Sequence, residues 1–538
     1  MLYPLICGGL ALRQAFAHAY VFADDVRQHL LWMFRLIDPK LFPDDPIVDY
    51  FQSIAPPGFA ALYRLFAAGG IDPLLASKVI PFVLGLLTAA YLFGTALRTV
   101  RSPAIAALAT VLLCQAVWLS SDLCSATPRA FFYPLFCAFL YYHVSNRRIA
   151  VLVTIFLETI FFPPAVLISL GILALDLVHW ENRWPKFSRE RRAYLFFGSA
   201  LLLASLALLP FLHSAGKFGP IISYSEAKQM SEFAPGGRVP FFYPGFWNYW
   251  VIGAAGLHIQ SRPFWLFAAF LWPIFACMPR SFPMFDRIRS GTWPLLQIAA
   301  SSLILFGVSH ALLFELYLPS RYTQHSTRVL FAIAGAAAIV ALVDYLFRRS
   351  QLRAPRSSFM LVASVFATLL LLWIVFYPLC LSEFPRVHYV TGKAPDLYRF
   401  FSAQPPNIRI ASLADEANNL PAICRRSIIF GVETAVPFHP GYYLPLRQRG
   451  LEIARAQYSA DLAVVQKCIR DQHIDFWLLD RGAFRPEHLR YNRALRQLKL
   501  NVVLPAGHTP FLQHPPPHSI VFSNPHFVVI DAQVVLAL

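Results

Sequence analysis

The chain has 538 residues, of which 57% are hydrophobic and only 14% are charged, and its formal net charge is +17. Many apolar runs approach the roughly 20 residues that cross a bilayer, which predicts a polytopic α-helical membrane protein. The basic excess does not indicate a nucleic-acid partner, because many of the arginines lie in the short loops between apolar runs. The sequence has no P-loop and no zinc-protease motif, so ATP-driven transport and zinc proteolysis lack support.

The first apolar segment, residues 2–21, predicts a spanning helix, since its start lacks the basic residues of a signal peptide. A long loop, residues 22–73, follows and opens with two adjacent aspartates. Apolar residues at helical spacing over 25–36 predict a helix at the membrane interface, and a second one is expected over 59–68. Three further acids of this loop are expected to be solvated: Asp44, Asp45 and Asp49.

Ten further spans are predicted beyond this loop, each an apolar run between charged residues or prolines. They are residues 74–97, 103–120, 128–143, 149–162, 164–180, 193–212, 263–278, 293–317, 327–347 and 357–380. The stretch Phe161-Phe-Pro-Pro164 is expected to be a tight turn between two short helices, with one long kinked helix as the alternative.

The distribution of arginine supports this alternation. With the first loop placed outside, every loop predicted to be inside is basic, as the positive-inside rule requires. The outer turns at 121–127 and 161–164 carry neither lysine nor arginine. The sequence therefore predicts about eleven transmembrane helices, a cytoplasmic N-terminus and an external C-terminal part.

Residues 382–538 differ from the preceding chain, because charge rises and the spanning segments end. We predict a helix over 459–472 and strands at 407–413, 427–432, 474–479 and 527–530. Strands that alternate with helices indicate a small α/β domain. The predicted domains are a transmembrane domain, residues 1–381, and an external domain, residues 382–538.

Several polar residues at the ends of spans fall on the predicted outer side: Asp24, Asp25, Arg129, Arg321 and His325. An isolated pair of aspartates is more typical of a solvated loop that caps a helix. A second set of polar residues at the same membrane face favours a functional site instead. A site on the cytoplasmic side would predict the opposite distribution.

This architecture resembles the GT-C class of integral-membrane glycosyltransferases, which includes oligosaccharyltransferases, protein mannosyltransferases and aminoarabinose transferases. The sharpest part of the resemblance is the stretch Tyr20-Val-Phe-Ala-Asp-Asp-Val-Arg-Gln-His29. The segment Leu318-Pro-Ser-Arg-Tyr322 is similar to arginine-bearing outer loops of such enzymes, and segments 411–421 and 475–480 resemble uncharacterised bacterial membrane proteins of this class. The chain has no W-W-D-x-G sequence of the oligosaccharyltransferase type, which argues against that particular activity.

The resemblance implies transfer of a sugar from a polyprenyl-phosphate carrier to a glycan, lipid or protein acceptor at the outer face. Asp24 or Asp25 is then the catalytic carboxylate that removes the acceptor's proton, within about 3 Å of it. The pair can instead hold a divalent metal, Mg or Mn. The departing phosphate needs fixed cations, for which the implied residues are Arg129, Arg321 and Arg238.

Each further candidate has an alternative role. Arg129 starts a span and can instead extend to the lipid headgroups. His29 lies one helical turn after Asp25, where it either orients that carboxylate or caps the helix. His325 either assists the phosphate or lies at the interface. Glu158 is near the outer end of a span, where ionisable groups are expensive and often functional.

Two other classes of function remain open. A transporter or flippase for a lipid-linked sugar or small solute is also polytopic, although such proteins usually show repeats and polar groups at mid-membrane. A non-catalytic GT-C-like scaffold is the other alternative. The glycosyltransferase, the transporter and the scaffold all predict a multi-pass protein of the plasma (inner) membrane. In each case the lipid bilayer is its partner and the C-terminal domain lies in the periplasm.

Overall fold

The computed structural model describes residues 1–181, 184–259, 262–284, 292–353, 358–505 and 507–538. Its first part is almost entirely helical. The described helices there are α1 Leu2–Ala15, α2 Val26–His29, α3 Pro46–Ser53, α4 Pro57–Ala68, α5 Pro73–Val100, α6 Pro103–Trp118, α7 Phe132–Val144, α8 Arg148–Phe161, α9 Pro163–Leu175, α10 Arg191–Ala215, α11 Tyr224–Gln229, α12 Trp272–Ala276, α13 Thr292–Ala311, α14 Ser320–Arg353 and α15 Ser358–Phe376. Short strands in this part are β1 Val21–Ala23, β2 Val178–Glu181 and β3 Trp184–Phe187.

Five of the described helices are long and apolar enough to cross a membrane: Pro73–Val100, Arg191–Phe218, Thr292–Ala311, Ser320–Arg349 and Met360–Cys380. Each corresponds to a predicted span, so the structure supports a multi-pass membrane protein. The other predicted spans form shorter helices, and the number eleven stays a prediction. The helix α1 ends at Ala15 rather than near residue 21, because the chain then turns to form β1.

The connection between α8 and α9 confirms the predicted tight turn. The first helix ends at Phe161 and the second begins at Pro163, so the alternative of one long kinked helix is wrong. A proline inside a helix removes a hydrogen bond and clashes with the preceding turn, whereas at the first helical position its missing N–H costs nothing. Proline therefore separates the two helices here.

The outer loop, residues 22–73, contains more helix than was predicted from its sequence. α2 and a 3-10 helix over Leu31–Leu36 occupy the first predicted interfacial segment, and α4 occupies the second. The helix α3 was not predicted. Asp45 is its N-cap and accepts hydrogen bonds from the backbone N–H groups of Ile47 at 2.9 Å and Val48 at 3.2 Å. The expectation that Asp45 is solvated is therefore wrong, because capping buries it.

The tail contains helices and a mixed sheet. Its helices are α16 Pro395–Ser402, α17 Leu420–Cys424, α18 Pro440–Gln457, α19 Leu462–Gln472, α20 Pro486–Tyr491, α21 Arg493–Leu498 and α22 Ala532–Leu536. Its strands are β4 Tyr389–Thr391, β5 Arg409–Ser412, β6 Ser427–Ile428, β7 Phe476–Asp480, β8 Ile520–Ser523 and β9 Phe527–Asp531. A five-stranded sheet has the order β6-β5-β7-β9-β8, with parallel pairs around β5 and antiparallel pairs around β9. The four predicted strands and the predicted helix are confirmed, and β8 is an additional edge strand.

The tail and the outer loop are joined by a short antiparallel pair of strands. β1 pairs with β4, with Val21 opposite Thr391 and Ala23 opposite Tyr389. The backbone N–H of Asp24 continues this pairing and donates to the carbonyl of His388 at 3.4 Å. The first aspartate of the outer loop is thus positioned directly by the tail.

Small residues let α9 and α13 approach closely, a common device at helix contacts in membranes. A Cβ atom added at Gly171 would lie 2.2 Å from the hydroxyl oxygen of Ser301. We expect Gly171→Val to lower the melting temperature in detergent, because overpacking of a tight contact typically costs about 1–3 kcal/mol. The matched control is Gly198→Val on the exposed face of α10, where nothing lies within 4 Å. Equal shifts for both variants would contradict this account of the contact.

Candidate functional site

The two aspartates of the outer loop point to different partners. Both lie between β1 and α2, so the strand pairing on one side and the helix on the other fix their backbone. Oδ2 of Asp25 accepts hydrogen bonds from Nη2 of Arg129 at 2.7 Å and from the hydroxyl of Ser125 at 3.2 Å. Asp24 instead forms an ion pair with Arg27, three residues along.

These surroundings shift the pKa values of the two carboxyls in opposite directions. Burial raises the pKa of Asp24 above its ordinary value, and the charge of Arg27 offsets this only in part. Burial also opposes ionisation of Asp25, but the charges of Arg129 and His29 outweigh it and hold the pKa of Asp25 below its ordinary value. Neighbouring carboxylates with different environments are suited to different roles. Asp25 is the carboxyl whose surroundings lower its pKa, whereas the surroundings of Asp24 raise its pKa.

Arg129 connects Asp25 to a second, more deeply buried carboxylate, Asp122. Nε of Arg129 lies 3.4 Å from Oδ1 of Asp122, which is only 2% exposed. The other oxygen of Asp122 forms an ion pair with Arg328 and accepts a hydrogen bond from the hydroxyl of Tyr133 at 3.2 Å. Nδ1 of His325 lies 3.5 Å from that same oxygen.

Acidic and basic groups therefore alternate through this site, in the order Asp25, Arg129, Asp122 and Arg328. Burial opposes the ionisation of Asp122, but Arg328, His325 and Arg129 together hold its pKa well below its ordinary value. An isolated buried charge is very costly, whereas paired and hydrogen-bonded charges are tolerated. The alternation explains how two carboxylates and two guanidinium groups share one poorly solvated region.

Arg321 adds positive charge at the edge of this site. It lies at the start of α14, and its charge contributes to lowering the pKa of Asp25. Its Nη1 donates to the neutral Oε1 of Gln324 at 3.2 Å, and its guanidinium lies 5.8 Å from the ring centre of Tyr317. Among the described residues Arg321 has no acidic partner. A guanidinium in that condition can bind an anionic group such as a phosphate.

The remaining candidates lie in different surroundings. His29 is close to Asp25, and burial lowers the pKa of its imidazole. Arg238 pairs with Glu433 of the tail, with Nη2 2.9 Å from a carboxylate oxygen, rather than with Asp25. Glu158 is fully buried between α8 and α9, where the hydroxyl of Ser169 donates to Oε1 at 3.0 Å. The structure thus brings Asp25, Arg129 and His325 into one network, while Arg238 and Glu158 have other partners.

Three residues of these networks were missed by sequence reasoning. Asp122 is the acid of the predicted outer turn after α6, and Arg328 lies inside the predicted span 327–347. An ionisable residue inside a span is rare and usually functional, so Arg328 carried a usable signal, whereas an acid in an outer turn, such as Asp122, does not stand out. Glu433 lies in a tail rich in charge, where no pattern distinguishes it from its neighbours.

Glu433 is the centre of a second cluster, which holds the tail against the outer loop. Its buried carboxylate lies 3.5 Å from Arg27, 2.9 Å from Arg238 and 2.7 Å from Arg493. The side chain of Gln28 donates to the backbone carbonyl of the same residue at 2.7 Å. Burial opposes the ionisation of Glu433, but the charges of Arg238 and Arg27 keep its pKa below the ordinary value. Arg27, between Asp24 and Glu433, links this cluster to the aspartate pair.

The aspartate pair does not fit a divalent metal as it is arranged. Mg and Mn prefer several oxygen ligands that converge on one point. Asp24 and Asp25 instead direct their carboxylates to different arginines. Within the part of the chain that the structure describes, no group of three or more His, Cys, Asp or Glu residues is placed to hold a metal. The donor set therefore gives no support to the predicted metal site.

No protein-family model matches the sequence, and no curated protein matches it at a significant level. Among solved structures, the fold is similar to the apo oligosaccharyltransferase of Archaeoglobus fulgidus, with a TM-score of 0.52 and 12% identity over 92% of this chain and 71% of that one. A structure of that enzyme tethered with an acceptor peptide containing the NVT sequon gives 0.50 and 13% over 93% and 71%. A third, named AglB, in complex with an inhibitory peptide and a dolichol-phosphate, gives 0.50 and 11% over 92% and 70%.

At these identities the similarity establishes the fold. It extends over 92% of this chain. The resemblance to the GT-C class that the sequence suggested is therefore confirmed as a likeness of fold.

The Glu433 cluster predicts a pH-dependent attachment of the tail. We expect Glu433→Gln to increase proteolysis and hydrogen exchange of α2 and the tail, since removing one partner of a buried ion pair costs about 3–5 kcal/mol. In the native protein this stabilisation is fully present above the ordinary pKa of glutamate and is lost as pH falls through the lower native pKa of Glu433. The control is Glu487→Gln, an exposed acid of α20. Unchanged protection of α2 in the Glu433 variant would refute the attachment.

Proposed function

We propose that the protein is a membrane glycosyltransferase that moves a sugar from a polyprenyl-phosphate carrier to an acceptor at the outer face of the membrane. The observation that carries this proposal is a carboxylate, Asp25, held ionised beside Arg129 and close to Arg321. It occurs in a fold similar to that of an archaeal oligosaccharyltransferase. The similar structures bound to an acceptor peptide and to dolichol-phosphate support a lipid-linked donor and keep a peptide among the candidate acceptors, although this chain lacks the W-W-D-x-G sequence.

In the proposed reaction Asp25 receives the acceptor's proton. Among the described residues, both hydrogen bonds to its carboxylate end on Oδ2, which leaves Oδ1 to face an acceptor hydroxyl or amide. A new bond forms between the acceptor atom and the anomeric carbon of the sugar, and the bond from that carbon to the phosphate oxygen breaks. The electron pair of the broken bond leaves with the phosphate. The Arg129 ion pair keeps Oδ2 fixed while Oδ1 takes the proton.

The arginines stabilise the charge that develops on the leaving phosphate. Arg321 has a neutral hydrogen-bond partner and is the guanidinium best placed to take a phosphate. Arg129 already serves two carboxylates, so we assign it chiefly to orienting Asp25. Fixed cations act most strongly where water is excluded and where no reorganisation is needed during the reaction.

The proposed topology has eleven spans, a cytoplasmic N-terminus and an external domain formed by residues 382–538. The basic inner loops support it. The pairing of β1 with β4 gives further support, because it requires the aspartate loop and the tail to lie on one side of the membrane. In a bacterial cell this corresponds to the inner membrane with the tail in the periplasm.

Substitution of the two aspartates tests the chemistry. We expect Asp25→Asn to lower sugar transfer from a polyprenyl-phosphate-linked donor by about 10²–10⁴-fold, the usual contribution of a general base. Asp24→Asn is the matched control and should retain most of the activity, since its side chain pairs with Arg27 and not with Arg129. Transfer is measured with radiolabelled donors in membranes, with melting temperature as the check of folding. Full activity of the Asp25→Asn variant would show that Asp25 is not the general base. If the wild type transfers sugar from none of the donors, the transporter or scaffold function would be favoured instead.

A second substitution tests phosphate binding. We expect Arg321→Gln to lower kcat/KM for the lipid-linked donor about 10- to 100-fold, because a charge-assisted hydrogen bond contributes about 1.5–3 kcal/mol. The control is Arg386→Gln, an exposed arginine of the tail whose ion pair with Glu383 is worth little. A loss confined to the acceptor's KM would assign Arg321 to the acceptor instead.

A further inference from the structure

A groove of about 910 Å³ follows α7 on the side of the bundle between α5 and α8. Its walls are mainly apolar, and Leu87 and Val153 are 44% and 51% exposed along it. The lining of α7 and its following turn extends from Pro134 to Asn146, which corresponds to about 18 Å at the helical rise. That length is close to one leaflet of a hydrocarbon core of roughly 30 Å.

One end of the groove is polar and basic. Asn146, Arg147 and Arg148 line this end, and both arginines are exposed. Among the described residues neither arginine forms an ion pair, and the guanidinium of Arg148 lies 5.7 Å from the ring centre of Phe196. The hydroxyl of Tyr142, also in the lining, shares a 3.1 Å hydrogen bond with that of Tyr91.

The basic end lies away from the proposed catalytic site. Arg129, which binds Asp25, comes just before the first residue of α7, whereas Arg147 follows the last. The two arginines are therefore separated by the whole length of the helix. A carrier lipid with its phosphate at Arg321, near Asp25, would not also place that phosphate at Arg147, so the proposed donor does not account for the basic end of the groove.

We propose that this groove binds one anionic glycerophospholipid of the surrounding bilayer. Its phosphate lies at Arg147 and Arg148, where guanidinium groups offer paired N–H donors, and one acyl chain follows α7 toward Pro134. Two features select this class of ligand. The apolar walls match an acyl chain in length, and the positive charges of Arg147 and Arg148, which have no acidic partner among the described residues, match a headgroup that carries a net negative charge.

The experiment compares phosphatidylglycerol with phosphatidylcholine. Detergent-purified protein is titrated with each lipid, and bound lipid is counted by native mass spectrometry together with the shift in melting temperature. We expect one retained phosphatidylglycerol, at least tenfold tighter than phosphatidylcholine, and loss of this preference in the double variant Arg147→Gln/Arg148→Gln. The matched control, Arg191→Gln/Arg192→Gln, removes two exposed arginines at the start of α10 that do not line the groove and should keep the preference.

A second variant tests the apolar part while leaving the arginines in place. Val153→Trp fills the groove from an exposed position of α8, so it should reduce lipid retention without lowering the melting temperature of the lipid-free protein. Equal binding of both lipids by the wild type would overturn the proposal. So would unchanged preference in the Arg147/Arg148 variant, or equal loss in the Arg191/Arg192 control, which would indicate diffuse attraction to basic loops.

Discussion

The two contacts of Arg129 connect the outer loop to the interior of the helix bundle. One edge of its guanidinium holds Asp25 and another faces Asp122, and Asp122 in turn is neutralised by Arg328. Charges in such surroundings are stable only in pairs, because an unpaired one would lose several kcal/mol of hydration. The position of Asp25 therefore depends on residues from the loop after α6 and from α14. A change anywhere in this row of charges alters the electrostatics of the carboxylate at its outer end.

The tail also contacts the aspartate pair and its partners. β4 extends the backbone pairing to the peptide of Asp24, and Glu433 binds Arg27, which is the partner of the Asp24 side chain. Aromatic packing adds to this contact, since Tyr50 of α3 stacks on Tyr442 of α18 with ring centres 3.7 Å apart. The tail thus shapes the surroundings of Asp24, through both its backbone and the partner of its side chain.

Features governed by local chemistry were predictable from the sequence. Hydropathy located the long helices, Pro163 marked the break between two of them, and β-branched runs located four strands of the tail. Features that depend on distant partners were not. The sequence predicts that Asp45 is solvated, whereas in the structure it caps α3 and is buried. The role of Glu433 depends on its ion pairs with Arg27 and Arg238, which are distant in sequence. Arg328 is an intermediate case. A charged residue inside an apolar run is expected to have a partner, but the sequence does not show which residue that partner is.

The pairing of β1 with β4 also has a consequence for biosynthesis. Its two strands come from opposite ends of the membrane part, so they meet only after the intervening chain has been made and inserted. Contacts between residues so far apart in sequence form late, because the chain between them must first be ordered. During synthesis the aspartate loop emerges early and stays without its partner strand. Its final geometry is completed only by the last part of the chain, so partly synthesised or truncated molecules cannot acquire it.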